Sequence, residues 1–126
     1  MSAEHTKTAV ENYFKATQSM SVEQWVSRFA DGAEVEDPVG TPVLRSKESL
    51  QTQGEQFMSA FEEVGLYPDF IQVSGYRASA KWTGRGITRD GQRVEFEGIN
   101  VWEFDADGRV KKLIGYWNPS NMREVK

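Results

Sequence analysis

The second half of the chain is punctuated by turn residues at intervals that suit a β-meander. Gly75, Asp90-Gly91 and Asp107-Gly108 separate four runs that are rich in β-branched and aromatic residues: 67–74, 78–88, 92–104 and 109–118. Glycine and the Asp-Gly pair are typical of hairpin turns because they accept positive φ angles. The pattern therefore predicts four antiparallel strands joined by hairpins.

The register of the central hairpin follows from which residues each loop length would bury. A three-residue loop, Arg89–Gly91, places Thr88 opposite Gln92 and pairs residues whose numbers have equal parity. One face then carries apolar and small residues, and the other carries most of the charges. A two-residue loop would mix the two faces, which burial disfavours. Glycines on the apolar face leave space there and let the sheet bend: Gly84, Gly86 and Gly98.

The first half of the chain shows the three- and four-residue spacing of amphipathic helices. It predicts helices over residues 5–17, 22–31 and 47–64, with Gly65 ending the third. Three helices followed by a meander predict an α+β fold, in which the helices pack on one face of a strongly curved antiparallel sheet. Because no linker, repeat or low-complexity run divides the chain, we expect residues 1–126 to form a single domain.

Composition excludes several classes of function. The chain has no cysteine and a single histidine, so disulfides, thiolate nucleophiles and Cys- or His-rich metal sites are excluded. Its net charge of −4 disfavours binding to the phosphates of nucleic acid. The N-terminus lacks the features of a signal peptide, and no apolar stretch is long enough to span a membrane. We therefore expect a cytoplasmic protein that holds no metal ion and contacts neither nucleic acid nor membrane.

The segment from residue 34 to residue 42 contains the strongest candidate for a catalytic group. In an extended conformation Val35, Asp37 and Val39 point to one side, and Pro38 favours that conformation at Asp37. A carboxyl group on the apolar side has its charged form disfavoured, which raises its pKa toward the range of a general base or acid. The alternative is that Asp37 only opens a turn, because Asp-Pro and Val-Gly are common in loops.

The run Val35-Glu-Asp-Pro-Val-Gly40, followed by Arg45-Ser46 at a predicted helix start, resembles the bacterial ketosteroid isomerases of the NTF2-like superfamily. The order of helices and strands matches that family over nearly the whole chain. The resemblance implies a cone-shaped fold around an internal pocket, and a homodimer formed through the convex face of the sheet. It also implies that Asp37 shuttles a proton between two carbons adjacent to a carbonyl group.

Two more residues match positions of that family's oxyanion site. Tyr13 matches a tyrosine that donates a hydrogen bond to the developing enolate oxygen, and Asn100 falls where the family has a protonated carboxylic acid. The NH2 group of an amide still donates, but an amide is a weaker donor than a neutral acid and does not titrate. Each residue has an alternative interpretation: Tyr13 as a core tyrosine bonded to a backbone carbonyl, and Asn100 as a satisfied core amide.

Four aromatic residues of the predicted strands are candidates for the walls of a substrate pocket: Trp82, Phe96, Trp102 and Trp117. Aromatic side chains at alternating strand positions are also typical of an ordinary core, so this pattern alone does not establish a pocket.

The residues and the resemblance lead to two hypotheses. The first is a cofactor-free acid–base enzyme of the ketosteroid isomerase type, in which Asp37 moves a proton alpha to a carbonyl while Tyr13 and Asn100 stabilise the oxyanion. Its substrate would be small and hydrophobic, of steroid, polyketide or terpenoid size. The second is a non-catalytic module of the same fold that binds a small apolar ligand or serves dimerisation. A protein-docking role would require an exposed apolar patch, which no stretch of the sequence demands.

Overall fold

The structure is a computed structural model, and it describes residues 2–126. Its elements in chain order are α1 (Ala3–Thr17), α2 (Val22–Val26), β1 (Phe29–Glu36), α3 (Lys47–Ser59), β2 (Phe61–Ser74), β3 (Arg77–Thr88), β4 (Arg93–Phe104), β5 (Val110–Trp117), a 3-10 turn (Pro119–Asn121) and β6 (Arg123–Glu124). Three helices pack against one six-stranded sheet and share a single buried core with it. The predicted α+β fold, with three helices on a curved sheet, is confirmed.

The sheet is mixed rather than purely antiparallel. Its strand order is β1-β5-β4-β3-β2, with β6 paired to β4. Strands β2 to β5 form the predicted antiparallel meander. Strand β1 lies parallel to β5, with Val35 opposite Leu113, and this pairing was not predicted. A parallel partner lies far away in sequence and leaves no turn signal, so no local pattern reports it.

The register predicted for the central hairpin is confirmed. Ala80 lies opposite Asn100, the Thr88 N–H donates to the Gln92 carbonyl at 2.8 Å, and Gly91 has a φ of +87°. The even-numbered residues of β3 and β4 from Ala78 to Phe104 face the helices and are buried, apart from the residues at the hairpin end. The concave face of the sheet is therefore the one that lies against the helices.

Two predicted helix ends are wrong, and one of them has a clear physical reason. Helix α3 ends at Ser59, and Phe61 to Val64 already belong to β2. A register shift between Phe61 and Glu63 puts Phe61 and Val64 on the same buried side although they are three residues apart. This bulge imitates helical spacing. Helix α2 similarly ends at Val26, short of the predicted residue 31.

The core lies between the inner stripe of α1 and the concave face of the sheet. The stripe of α1 consists of buried side chains three and four residues apart: Ala9, Val10, Tyr13, Phe14 and Thr17. Fully buried aromatic side chains face it from the sheet, and each contributes roughly 1.5–3 kcal/mol through its burial. No helix within residues 2–126 is long and apolar enough to cross a membrane.

Candidate active site

A cavity of about 60 Å³ lies between the helices and the concave face of the sheet, and both Asp37 and Tyr13 line it. Most of the remaining wall is apolar and comes from helices α2 and α3 and from four strands: Trp25, Phe57, Met58, Leu66, Trp82, Phe96 and Trp117. Of the described residues that line this cavity, Asp37 is the single one with a carboxyl group. The cavity thus places one carboxyl group among aromatic rings.

Asp37 follows directly after β1 and is held from two sides. The Trp117 indole N–H donates to Asp37 Oδ1 at 2.8 Å, and the Gln53 amide donates to the Asp37 backbone carbonyl at 3.0 Å. The peptide bond between Asp37 and Pro38 is cis. Val35 is fully buried as predicted, whereas Val39 is 46% exposed, because the extended segment ends at Asp37 and a turn follows.

Gly115 of β5 makes the position of the Asp37 carboxyl group possible. A Cβ atom at residue 115 would lie 2.1 Å from Asp37 Oδ1, which no side chain could tolerate. The carboxyl group therefore rests directly on the backbone of β5. Gly115 was not among the predicted site residues, although a glycine inside a strand is a known signal of close approach by another group.

Burial raises the pKa of Asp37 to about 6, and the hydrogen bond from Trp117 opposes this rise. The residue as a whole is half-buried, but its carboxyl group is surrounded by protein atoms, and the lost hydration of that group decides the direction. At neutral pH the carboxyl group is mostly ionised and yet close enough to its pKa to accept and return a proton.

Tyr13 of α1 is 1% exposed, and its hydroxyl oxygen accepts a 3.1 Å hydrogen bond from the Trp25 indole N–H. Burial, and next the negative charge of Asp37, raise the pKa of the Tyr13 hydroxyl far above its ordinary value, against a smaller effect of Trp25. The phenol therefore stays protonated and remains a hydrogen-bond donor. The alternative of a bond to a backbone carbonyl is not what the structure shows at Tyr13.

Asn100 of β4 is 1% exposed, and neither atom of its amide group has a hydrogen-bond partner among the described residues. It does not line the cavity, so it does not share the wall with Tyr13 as predicted. Its Oδ1 lies 3.2 Å from the Cβ position of Gly115, the same position against which the Asp37 carboxyl group rests. The structure thus brings Asn100 next to Asp37. An unpaired buried amide costs roughly 1–3 kcal/mol.

The four predicted wall residues divide into two groups. Trp82, Phe96 and Trp117 line the cavity, and Trp117 is in addition the hydrogen-bond donor to Asp37. Trp102 does not line the cavity, because its ring packs edge-on against Tyr13 at 5.3 Å within the core. The prediction for Trp102 as a wall residue is corrected accordingly. Trp25 was not predicted, and its place in an amphipathic helix gave it the signal of a core residue.

The described residues contain no group of three or more histidine, cysteine, aspartate or glutamate side chains placed to hold a metal ion. The chemistry that these side chains can perform is proton transfer. A carboxyl group enclosed in this way can accept or return a proton, and a protonated phenol can donate a hydrogen bond to an oxygen placed in the same cavity.

Comparison with known proteins agrees with this fold. The SnoaL-like domain family matches residues 10–113. A steroid Delta-isomerase from Nocardioides simplex is 31% identical over 123 residues, which cover 97% of this chain and 96% of that protein. The solved structure of SalBIII, described as an epoxide hydrolase/cyclase-like enzyme with a role in pyran ring formation in the polyether salinomycin, has a TM-score of 0.85 at 19% identity and covers 97% of each chain.

The chain belongs to the SnoaL-like domain family. The predicted likeness to the ketosteroid isomerases of the NTF2-like superfamily is confirmed by the family match and by the steroid Delta-isomerase relative. At 19% identity, the likeness to SalBIII concerns the fold alone.

Proposed function

We propose that this protein is an acid–base enzyme of the isomerase or cyclase type that transfers a proton alpha to a carbonyl of a small hydrophobic substrate. The observation that carries the proposal is the enclosed Asp37 carboxyl group, with a pKa of about 6, in the same cavity as the protonated hydroxyl of Tyr13. A base of this pKa combines a high ionised fraction at neutral pH with the ability to return its proton.

In the proposed reaction Asp37 acts as the base and Tyr13 as the oxyanion donor. Because Trp117 holds Oδ1, the Oδ2 atom of Asp37 takes the proton from the carbon adjacent to the carbonyl. The electron pair of the broken C–H bond moves onto the carbonyl oxygen, where the Tyr13 hydroxyl stabilises the negative charge. Asp37 then returns the proton to a second carbon. We assign the oxyanion contact to Tyr13 alone, because Asn100 does not line the cavity.

The aromatic walls favour a flat, hydrophobic substrate, and the relative named as a steroid Delta-isomerase supports a steroid-like substrate. The cavity of about 60 Å³ holds only a few water molecules, whereas ligand pockets measure about 300–1,000 Å³. A substrate of steroid, polyketide or terpenoid size therefore requires wall side chains to move. Phe57 and Leu66 are half-buried at the wall and are the side chains that we expect to swing outward.

A binding experiment with 2-naphthol tests the role of Asp37. This fused-ring phenol resembles an enolate, and its oxygen would contact Tyr13. In the Asp37→Asn variant the neutral amide mimics the protonated carboxyl group of the intermediate, so we expect 2-naphthol to bind about tenfold more tightly than to the wild type, equivalent to ~1.4 kcal/mol. Asp69→Asn, at an exposed aspartate on β2, is the matched control and should leave the affinity unchanged.

The opposite outcome distinguishes the alternative hypothesis. Equal affinity of wild type and Asp37→Asn for 2-naphthol would contradict acid–base catalysis by Asp37 and would leave a module that binds a small apolar ligand without reacting with it.

The outer face of the sheet supports a further proposal, that two copies of the chain form a homodimer. Ile99 pairs with Tyr116 and Val101 with Ile114, so these four residues form one continuous apolar group, which we call the outer patch. Ile99, Val101 and Tyr116 are 46%, 39% and 52% exposed. An exposed apolar patch of this kind is typical of an interaction surface. No stretch of the sequence demanded such a patch, and it lies on the outer face through which the family resemblance implies a homodimer.

A further inference from the structure

The hydrogen bond between Trp25 and Tyr13 has a fixed direction. The Trp25 indole N–H lies 3.1 Å from the Tyr13 hydroxyl oxygen, and the two residues are 8% and 1% exposed. An indole nitrogen carries a hydrogen and has no lone pair available for hydrogen bonding, so Trp25 can only donate. The Tyr13 oxygen is therefore the acceptor in this pair.

The direction of that bond restricts where the Tyr13 proton can point. A phenol hydroxyl rotates about its C–O bond and both donates and accepts. Because the Trp25 N–H donates to the Tyr13 oxygen, the proton of the Tyr13 hydroxyl must point away from Trp25. Trp25 is the hydrogen-bond partner that the described part of the chain provides for this hydroxyl, and Tyr13 lines the cavity. The Tyr13 proton therefore points into the cavity, where an oxygen of a bound ligand can accept it.

The packing around Trp25 keeps the indole ring in this orientation. Gly54 of α3 lies against the ring, and a Cβ atom at residue 54 would lie 3.1 Å from Trp25 Cε3. Phe29 also packs edge-on against Trp25, at 4.8 Å between ring centroids. A side chain larger than that of glycine at residue 54 would crowd the ring. Helix α3 and the start of β1 together hold the donor on the Tyr13 oxygen.

We infer that Trp25 is a positioning residue. Because its N–H donates to the Tyr13 oxygen, the Tyr13 hydroxyl acts toward the cavity as a donor, and the cavity selects ligands that present an acceptor oxygen at Tyr13. Carbonyl, enolate and phenolate oxygens satisfy this requirement, whereas a methyl group or an ammonium group leaves the Tyr13 proton unpaired. The inference deepens the proposed function, because it rests on Tyr13 as the contact to the substrate oxygen.

The bond from Trp25 also strengthens the donor. A hydroxyl that accepts one hydrogen bond is polarised and donates a stronger one, an effect that grows in a site from which water is excluded. Negative charge that develops on the substrate oxygen is shared with the Tyr13 oxygen, and the Trp25 N–H stabilises it there. Trp25 thus acts on the substrate through Tyr13 without contacting the reacting atoms.

The test compares two ligands of nearly the same shape, 2-naphthol and 2-methylnaphthalene, which carry a hydroxyl and a methyl group at the same position. The measured quantity is the oxygen preference, defined as the Kd of 2-methylnaphthalene divided by the Kd of 2-naphthol, obtained by equilibrium dialysis. Trp25→Phe keeps an aromatic ring and removes the N–H. We expect the oxygen preference to fall about fivefold to tenfold. Trp25 also lines the cavity, and the ratio removes any change in wall contact that the two ligands share.

A double-mutant cycle shows whether the effect passes through Tyr13. In the Tyr13→Phe background, Trp25→Phe should leave the oxygen preference unchanged, because the proton that Trp25 directs is absent. If Trp25→Phe weakens both ligands by the same factor, or lowers the oxygen preference equally without Tyr13, Trp25 is a core residue only and the inference is overturned.

A second measurement does not depend on the folding of Trp25→Phe. In wild-type protein labelled with 15N, the Trp25 indole N–H resonance should shift further with 2-naphthol than with 2-methylnaphthalene, because the two ligands share their ring system and differ in the oxygen at Tyr13. A shift of equal size with both ligands would overturn the inference.

The outcome is also independent of the proposed base. The oxygen preference is measured with Asp37 intact, whereas the proposed function is tested by Asp37→Asn. A negative result for the role of Trp25 therefore does not contradict Asp37 as the base, and a negative result for Asp37 does not contradict the role of Trp25.

Discussion

The Trp117 indole N–H donates a 2.8 Å hydrogen bond to Asp37 Oδ1, and it does so between residues that are 80 positions apart in the sequence. Asp37 follows the last residue of β1, and Trp117 is the last residue of β5. Because these two strands run parallel, their C-terminal ends lie at the same edge of the sheet, and the indole and the carboxyl group meet there. This contact positions the one carboxyl group of the cavity.

Replacing Trp117 by phenylalanine should raise the pKa of Asp37 above about 6. The indole N–H stabilises the ionised carboxylate and therefore lowers its pKa against the effect of burial. Removing a hydrogen bond to a charged group costs roughly 1.5–3 kcal/mol, so we expect a rise of about one pH unit or somewhat more. Titration of the Asp37 carboxyl carbon by NMR measures it, and a lower or unchanged pKa would contradict this account of the contact.

The free energy of unfolding should fall as the pH rises from about 4 to 7, as expected for an acid whose pKa is raised by burial. The pKa of Asp37 is raised from 3.8 to about 6 by folding, so the folded protein binds a proton that the unfolded chain releases between these values. Stability contributed by Asp37 is therefore fully present below pH 3.8 and is lost as the pH rises to 6. The loss amounts to about 3 kcal/mol in free energy of unfolding.

This prediction is measured as the difference between Asp37→Asn and wild type in urea unfolding at pH 4 and pH 7. Asp37→Asn should gain stability relative to wild type at the higher pH. Asp69→Asn is the control, because the hydrogen bond from Lys81 lowers the pKa of Asp69 below 3.8, so its difference from wild type should change little between pH 4 and pH 7. A difference for Asp37→Asn that is constant with pH would show that its carboxyl group is hydrated in the folded protein.

A methyl group at residue 115 should displace the Asp37 carboxyl group. In Gly115→Ala the new Cβ would lie 2.1 Å from Oδ1, so the carboxyl group must leave its place on β5 and lose its bond to Trp117. We expect a loss of about 1–3 kcal/mol in stability together with a changed pKa of Asp37.

Gly86→Ala is the matched control for this change, because its Cβ would lie 2.9 Å from the Phe61 ring, and neither Gly86 nor Phe61 lines the cavity. Gly86→Ala should lower the free energy of unfolding and leave the pKa of Asp37 unchanged. An equal pKa change in both variants would mean that general loosening of the sheet, and not the local contact, controls Asp37.

A charge in the outer patch should separate the proposed homodimer. Ile99→Lys places an ammonium group opposite Tyr116, where burial against a second copy would cost several kcal/mol. Light scattering coupled to size exclusion should give a monomer mass for Ile99→Lys and a dimer mass for wild type. Val43→Lys, at a similarly exposed valine in the loop between β1 and α3, should leave the dimer intact. A monomeric wild type would rule out the proposed interface.

Much of the fold could be predicted from local patterns in the sequence. The alternation along residues 78–104 and the turn at Gly91 specify the central hairpin and its register, because burial permits one parity and glycine accepts the positive φ. Asp37 was identifiable from the same kind of reasoning, since an apolar neighbour at Val35 and a following proline set its direction. The spacing along α1 likewise placed Tyr13 on the buried side of the helix.

Local patterns failed where the contact partner lies far away in the chain. The parallel pairing of β1 with β5 has no turn between the strands to reveal it, and the bulge after Phe61 reproduced helical spacing within a strand. Asn100 was assigned to the correct face of β4, but the tertiary structure was needed to show that its amide lies beside Asp37 and outside the cavity wall.

The sequence by itself determined the three helices, the antiparallel meander, the two faces of the central strands and the side of the chain to which Asp37 points, because each depends on residues within a few positions of one another. The tertiary structure alone decided that Trp117 holds Asp37, that Gly115 makes room for it and that Trp25 donates to Tyr13. These contacts join separate elements, and their geometry is set by how the sheet bends around the helices, a property that no short segment encodes.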